Sequence, residues 1–425
     1  MADRLSAALD EARRHYADRR PRSRQLAERA AVVLPGGNTR TVLHIDPFAF
    51  RVVGADGAVL HDADGFDYVD LLGDYSAGLL GRRDVVADTI RAVLDRGWSY
   101  GATSEPETVF AEAVVARYPS IEQVRFTNSG TEANVMALMT ARYATGRDKV
   151  VVFDHGYHGG PLYFGDAGAP LRIPFDYVVL PYNDIGAATR AFEQHGAELA
   201  CVLVEPMQGS GGCIPGDPDF LAHLRALSTA VGAVLIFDEV MTLRLSVGGA
   251  QQLLGITPDM TTLGKYLGGG LSFGAFGGRA DLMGTFDPAR GGLSHAGTFN
   301  NNAFTMAVGA VVAADLVGAE ALATVNERGD RLRAGLQARF DASPLPFCVT
   351  GWGSLLCVHP VASPAEIDEA DVRWRDLFFH DVLDAGHYTA PRGMLALSMA
   401  VSDDDTGAFL EAVERFCERR AGLAA

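Results

Sequence analysis

Lys265 is one of only two lysines among 425 residues, and it stands in a long stretch with almost no other charge, TTLGKYLGGGLSFGAFGG (261–278). An unpaired ammonium is expensive to bury. A lysine in an apolar, glycine-lined setting gives up its proton readily and becomes a nucleophilic amine able to form a Schiff base. The other lysine, Lys149, lies between Asp148 and a hydrophobic run and reads as an ordinary cation. Further groups carry complementary chemistry. In TNSGTEAN (127–134), Ser129 with Glu132 three residues later has the pattern of a capping box. The amides of Gly130 and Thr131, with two hydroxyls, make either an anion cradle at a helix N-terminus or simply a well-capped helix. Asp238 lies within LIFDEV (235–240), a run apolar enough to be interior. A buried carboxylate needs a cationic or donor partner, and a protonated heteroaromatic nitrogen would serve. Glu239 points to the opposite side if the strand continues. In GYHGG (156–160), Tyr157 or His158 could stack on a flat ligand. In HAGTFNNN (295–302), Thr298 could donate to an anion, while the asparagines suit turns and caps.

The elements that must position these groups follow from periodicity. From about 104 to 280, short apolar runs at 122–127, 149–153, 177–180, 200–204, 233–237 and 260–263 alternate with helical segments. That rhythm predicts an α/β domain with a mostly parallel sheet. Ser129, Glu205, Asp238 and Lys265 each fall just after one of these runs, and open α/β sheets bind ligands at the carboxyl ends of their strands. Residues 3–33 read as one helix, with Leu5, Ala8, Leu9 and Ala12 on one side, and 48–70 as a small antiparallel element. Beyond about 303 come a long helical stretch, strands near 347–358 and 394–399, and a helix from about 403. The expected division is an N-terminal segment (1–70) packing with the C-terminal domain, a large α/β domain (71–305), and a small α+β domain (306–425).

Composition narrows the class. The formal charge of −17 and pI near 5.0 argue against nucleic acid or an anionic membrane as partner. Five scattered cysteines show no metal-binding spacing, so no metal is expected. The charged N-terminus lacks an apolar signal core, and no run reaches the length of a membrane span, which makes the cytoplasm the expected location.

A reactive lysine, an anion cradle, an aromatic lid and an acid for a ring nitrogen together describe one cofactor, pyridoxal 5′-phosphate. The motifs TNSGTEAN, GYHG, LVEPMQG, LIFDEV, TTLGKYLGGG and GTFNNN, in this order from about 30 to 400, resemble the class III (ω-type) aminotransferases and glutamate-1-semialdehyde aminomutase. The resemblance implies the fold-type I architecture: a large domain with a mostly parallel seven-stranded sheet plus a smaller α+β domain. It implies that Ser129, Gly130 and Thr131 hold the phosphate, Tyr157 stacks on the ring and Asp238 pairs with its nitrogen. Val240 packs on the other face, Lys265 is the Schiff-base lysine, and Glu205 orders the groups around it. It also implies a homodimer with shared active sites, in which Thr298 reaches the phosphate of the neighbouring protomer.

Two arginines bear on the substrate. Arg40 ends PGGNTR (35–40) and Arg392 lies in APRGMLALSM (390–399); an arginine fork binds a carboxylate bidentately. PGGNTR, VLVEPMQG, CIPG, TTLGKYLGGGLSFGAFGGRADLM and GTFNNN look particularly like the β-phenylalanine aminotransferase group, which acts on β-amino acids with two such arginines. Tyr75, in DYSAG (74–78), suits a pocket wall or a core position. The expected reaction moves an amino group from a β-amino acid to a 2-oxo acid, with Lys265 taking and returning the proton. A β-amino acid carries its carboxylate one carbon further from the amine, so an arginine must stand farther away or on the other side. Two departures from the family bear on side-chain preference: Gly81-Arg82-Arg83-Asp84 replaces a Gly-His pair, and Leu243 stands where relatives have a small polar residue. The rival reaction is an aminomutase, sharing every cofactor residue; a decarboxylase, a racemase or a non-catalytic relative on the same fold are others.

Overall fold

Successive side chains of Val234–Asp238 take opposite faces of a sheet. Val234 and Ile236 join a core with Ala133, Ala137 and Leu138, while Leu235 and Phe237 join another with Phe220, Leu221 and Leu224. Both faces are therefore apolar, as a strand covered by helices on both sides requires. Each fully buried Phe or Leu there contributes roughly 1.5–3 kcal/mol. Alternation places Asp238 on the same face as Ile236, toward helix Gly130–Thr145, and Glu239 opposite.

This computed structural model describes residues 2–290 and 292–424. The chain divides into two compact units, one from Arg83 to Thr324 and one holding the chain up to Arg82 and from Val325 onward. The first carries a seven-stranded sheet in the order Gln123–Thr127, Gly274–Gly278, Met260–Gly264, Val234–Asp238, Leu199–Val204, Lys149–Phe153, Asp176–Leu180. Only Gly274–Gly278 runs antiparallel to its neighbours. That strand is absent from the sequence reading. GAFGG has too few side chains to show alternation, and glycine in a strand often marks close backbone approach. The approach is real here: a Cβ on Gly274 would lie 2.1 Å from the Ser129 carbonyl oxygen.

The second unit contains a four-stranded sheet, Val52–Asp56, Val59–Asp62, Asp67–Asp70 and His387–Tyr388, and a three-stranded one, Cys348–Trp352, Leu355–His359 and Met394–Ala396. The single helix expected over 3–33 is two, Ala2–Asp18 and Pro21–Ala31. Pro21 explains the break: it lacks the N–H that a continuing helix needs but suits a first turn. Arg20 at the junction is buried, its guanidinium donating to the Tyr68 hydroxyl at 3.1 and 2.9 Å and to the Tyr16 carbonyl at 3.3 Å.

Among the described residues, no single helix is long and apolar enough to cross a membrane, and no cluster of His, Cys, Asp and Glu could hold a metal. All five cysteines are buried, and none is in a disulfide.

Candidate active site

The carboxyl ends of two strands, Val234–Asp238 and Met260–Gly264, and one helix N-terminus meet at Val240. A side chain added at Gly130 would lie 2.8 Å from Val240 Cγ2, and one at Gly264 would lie 3.2 Å from Val240 Cγ1 and 3.6 Å from the Gly130 backbone. The turn before Lys265, the residue after Asp238's strand and the start of helix Gly130–Thr145 are thus in direct contact. Lys265 itself is half-buried, in the left-handed region at φ 55. A non-glycine residue there is uncommon, and such conformations collect at functional sites.

Ser129 caps the helix, its Oγ accepting from the Glu132 N–H at 3.2 Å. The capping box expected from the sequence is displaced by one residue: Glu132 Oε2 accepts from the Asn128 N–H at 2.8 Å, not from Ser129. The first N–H groups of a helix have no acceptor within it, and the helix dipole makes that end attractive to an anion. Gly159, at φ 114, packs against this turn so closely that a Cβ there would strike Thr131 Oγ1 at 2.3 Å.

Asp238 is 4% exposed and heavily hydrogen-bonded. Its Oδ2 accepts from Asn134 Nδ2 at 2.8 Å and lies 2.7 Å from His158 Nδ1, and its Oδ1 accepts from the Val240 N–H at 3.0 Å. Asn134 is fixed in turn by Thr262 Oγ1, which donates to its Oδ1 at 2.7 Å. A carboxylate offers about four acceptor positions, so this one retains capacity for a further donor. His158 is buried against Asp238; of the two aromatic residues proposed for stacking, only Tyr157, 44% exposed, has an open ring.

Glu205 is also buried. Its Oε2 accepts from the Tyr157 N–H and its Oε1 from the Gly209 N–H, both at 2.9 Å. Burial pushes its carboxyl up to about 7, with His158 working against the shift and Asp238 adding to it. Thr298 is exposed in the turn before helix Ala303–Val311, two residues from Asn300, which accepts from Asn128 Nδ2 at 2.9 Å.

Arg40, Tyr75 and Arg392 belong to the other unit, where they form a cluster of their own. The guanidinium carbons of Arg40 and Arg392 lie 5.5 and 5.3 Å from the Tyr75 ring centroid, within cation–π range. Tyr75 is buried, with its hydroxyl donating to the Val42 carbonyl at 2.7 Å. Of the two departures from the family pattern, Leu243 is fully buried and its carbonyl accepts the Tyr266 hydroxyl at 3.2 Å, so it lines no open loop. Arg82 donates to the Gly57 carbonyl.

Asn134 and Thr262 are neighbours of Asp238 that the sequence pattern does not single out, while His158, expected as a stacking candidate, lies on the Asp238 carboxylate instead. A signal exists for each of the first two. Asn134 ends TNSGTEAN one helical turn after Gly130, and Thr262 is the register partner of Asp238 on the next strand.

An N-terminal helix cradle, an acidic acceptor with spare capacity and a lysine on the adjoining turn fit pyridoxal 5′-phosphate, and the sheet is that of fold type I. The class III aminotransferase family model matches residues 43–165 and 169–416, and the chain belongs to this family. It is 46% identical to the β-phenylalanine transaminase of Variovorax paradoxus over 97% of this chain and 96% of that one. The solved structure of the β-phenylalanine aminotransferase from that organism superposes with a TM-score of 0.96, covering 99% of both chains. Glutamate-1-semialdehyde 2,1-aminomutase of Nitratidesulfovibrio vulgaris is 40% identical over 92% of this chain and 97% of its own. A transaminase solved with the cofactor bound is 30% identical, with a TM-score of 0.88 and coverage of 95% and 99%. This chain is therefore a transaminase dependent on pyridoxal 5′-phosphate.

Proposed function

We propose that the chain transfers an amino group between a β-amino acid and a 2-oxo acid, with Lys265 as its Schiff-base lysine. The observation that carries the substrate assignment is the pair of guanidiniums over one tyrosine ring, Arg40 and Arg392 on Tyr75. Two carboxylate-bearing substrates call for two such cations, and the likeness to a β-phenylalanine transaminase supports the β-amino acid as one of them.

The bound cofactor supplies an electron sink and an aldehyde. In this reading the Gly130 and Thr131 amides and the Ser129 and Thr131 hydroxyls hold its phosphate. Asp238, oriented by Asn134, His158 and the Val240 N–H, keeps its ring nitrogen protonated. Val240 and Tyr157 would pack on its ring, and Glu205 fixes Tyr157 by its backbone. The Lys265 Nζ would bind the aldehyde and, as a free amine, would take the proton from the substrate carbon bearing nitrogen and return it. Arg40 and Arg392 receive the carboxylates, with Tyr75 as the wall beside them.

We assign a homodimer in which Thr298 serves the partner's phosphate. The exposed Phe299, Trp98 and Tyr100, 68%, 52% and 46% accessible, support a covered face. Five buried cysteines with no disulfide suit a reducing cytoplasm. The second reading is an aminomutase, favoured by the 40% identity to that enzyme. The deciding experiment supplies 3-amino-3-phenylpropanoate with 2-oxoglutarate or pyruvate. Stoichiometric glutamate or alanine is expected; turnover of an amino substrate to its isomer without any acceptor would replace this reading with the second. Arg40→Ala or Arg392→Ala should raise KM for one carboxylate substrate about tenfold or more, the scale of a lost charge-assisted bond. Parental KM values in both variants would remove the basis for the β-amino acid.

A further inference from the structure

The turn that carries Tyr75 is built against the ordinary preference of the backbone. Gly73, Asp74, Tyr75 and Ser76 have φ values of 51, 54, 75 and 46 in the order Gly73, Tyr75, Ser76 and Asp74, four consecutive residues in the left-handed region. L-residues visit that region singly, and glycine, asparagine and aspartate bear it best. Tyr75 and Ser76 have no such tolerance. The segment is nevertheless tied down: Asp70 Oδ1 accepts from the Leu72 and Gly73 N–H groups at 3.1 and 2.9 Å, and the Gly78 N–H reaches the Gly73 carbonyl at 2.7 Å. A side chain at Gly73 would lie 2.9 Å from the Ala396 carbonyl. The arrangement even leaves Ser76 Oγ buried without a hydrogen-bond partner. Strain of this kind persists where the surroundings over-determine it and collects at binding sites.

One consequence is where Asp74 falls. Its Oδ1 accepts from Arg40 Nη1 at 2.7 Å, through that single nitrogen, while the Arg40 guanidinium lies over the adjoining Tyr75 ring. Both side chains are well exposed, 45% for Arg40 and 61% for Asp74. A one-point ion pair in water is weak and exchangeable, whereas an incoming carboxylate can take two guanidinium nitrogens at once. We infer that Asp74 is an internal carboxylate held on Arg40 by the left-handed turn, which a substrate carboxylate must displace, so that Asp74 sets the affinity for that substrate. Asp74 acts through Arg40 and is a positioning residue, not a catalytic one. The inference rests on the proposed role of Arg40 as a carboxylate-binding residue.

The test is Asp74→Asn in the loaded enzyme, measured with 3-amino-3-phenylpropanoate and 2-oxoglutarate. Asparagine accepts a left-handed backbone at least as well as aspartate, so the turn survives the change. For the substrate whose KM Arg40→Ala raises, Asp74→Asn should lower KM about two- to fivefold, the range of an exposed ion pair, with a smaller change in kcat. Asp74→Glu, which keeps the charge, should stay nearer the parent. In the Arg40→Ala background, Asp74→Asn should have no further effect on KM. An unchanged or higher KM in Asp74→Asn, alongside a raised KM in Arg40→Ala, overturns the inference and leaves the role of Arg40 standing. A lowered KM that persists without Arg40 overturns it too. A parental KM in Arg40→Ala removes the reading beneath it, a separate result.

Discussion

The polar groups around Asp238 and those around Tyr75 are held in opposite ways. In the unit from Arg83 to Thr324, Asp238, Asn134, His158 and Thr262 are all buried and bonded to one another at 2.7–2.8 Å. In the other unit, Arg40 and Asp74 are exposed and joined by one bond on a strained turn. Three non-glycine residues held left-handed cost roughly 1–2 kcal/mol each, while the buried network offsets its desolvation by satisfying its members. The contrast separates two tasks. Chemistry shared by all substrates of a cofactor enzyme gains from a fixed, dry environment. Choice among carboxylates gains from a surface pair that can exchange.

The hardest attempt to break this contrast is on its rigid side. Lys265→Ala should reduce turnover by more than about 10⁴-fold, since the proposed role makes one amine both the group that binds the aldehyde and the base that moves the proton. Turnover in a quench-flow or coupled assay is the measurement, and retained activity would end the assignment of Lys265. Asp238→Asn comes next. An amide keeps the shape and the Val240 bond but cannot hold a ring nitrogen protonated, so kcat should fall about 10²–10³-fold. If the surface pair acts on affinity as proposed, the same assay should show Asp238→Asn acting on kcat more than on KM. A variant that raised KM alone would place Asp238 with the exchangeable groups and dissolve the distinction.

How far each side is legible in the sequence follows from the range of its interactions. Strands rich in Val, Ile and Leu declare themselves, and so do the groups at their carboxyl ends, because strand period and ligand position are linked. Gly274–Gly278 does not, since backbone contact with Ser129 leaves no trace in side-chain pattern. The Asp238 network is hidden by distance along the chain: Asn134 lies 104 residues before Asp238 and Thr262 lies 128 after Asn134. Cation–π contact of both arginines with Tyr75 is hidden likewise, although each arginine stands out by its motif. DYSAG gives no warning of positive φ at a tyrosine and a serine, because the surroundings and not local preference impose it.

pH sharpens the comparison, because buried titrating groups in the two units have opposite signs. Glu205 in the sheet unit is pushed up to about 7 from the usual 4.5 by burial. A folded carboxyl that holds its proton more tightly than the unfolded one stabilises the fold relative to its ionised form at low pH, and that contribution is lost as pH rises through about 7. His380 and His387 in the other unit are pushed down to about 4 from 6.5, again by burial, and their Nδ1 atoms have no hydrogen-bond partner. Their contribution is present above about 6.5 and lost as pH falls toward 4. Glu205→Gln should therefore gain on the parent by about 2–3 kcal/mol between pH 4.5 and 7.5. Chemical denaturation of both proteins across that range measures it. A constant difference would mean that Glu205 keeps one protonation state, and its place in the rigid network would rest on its two N–H bonds alone.

The smallest expected effect tests the rigid side most finely. Thr262→Val removes one hydroxyl and keeps the shape of the side chain, so packing beside Met260 and Leu263 is preserved. What changes is Asn134 Oδ1, which loses its donor at 2.7 Å in a place closed to water. An acceptor buried and left unpaired costs about 1–3 kcal/mol. Asp74→Asn, by contrast, removes the charge from a bond between exposed groups and should cost less than about 1 kcal/mol of stability. The two variants thus make a contrasting pair: one removes a buried donor outright, the other only the charge of an exposed acceptor. Thr262→Val should lower stability and, through a loosened Asn134, lower kcat a few-fold with KM nearly unchanged. Asp74→Asn should leave stability nearly unchanged and move KM. If the stability losses came out in the reverse order, the turn at Gly73–Ser76 would be the rigid element, and the exchange of carboxylates at Arg40 would lose its physical basis.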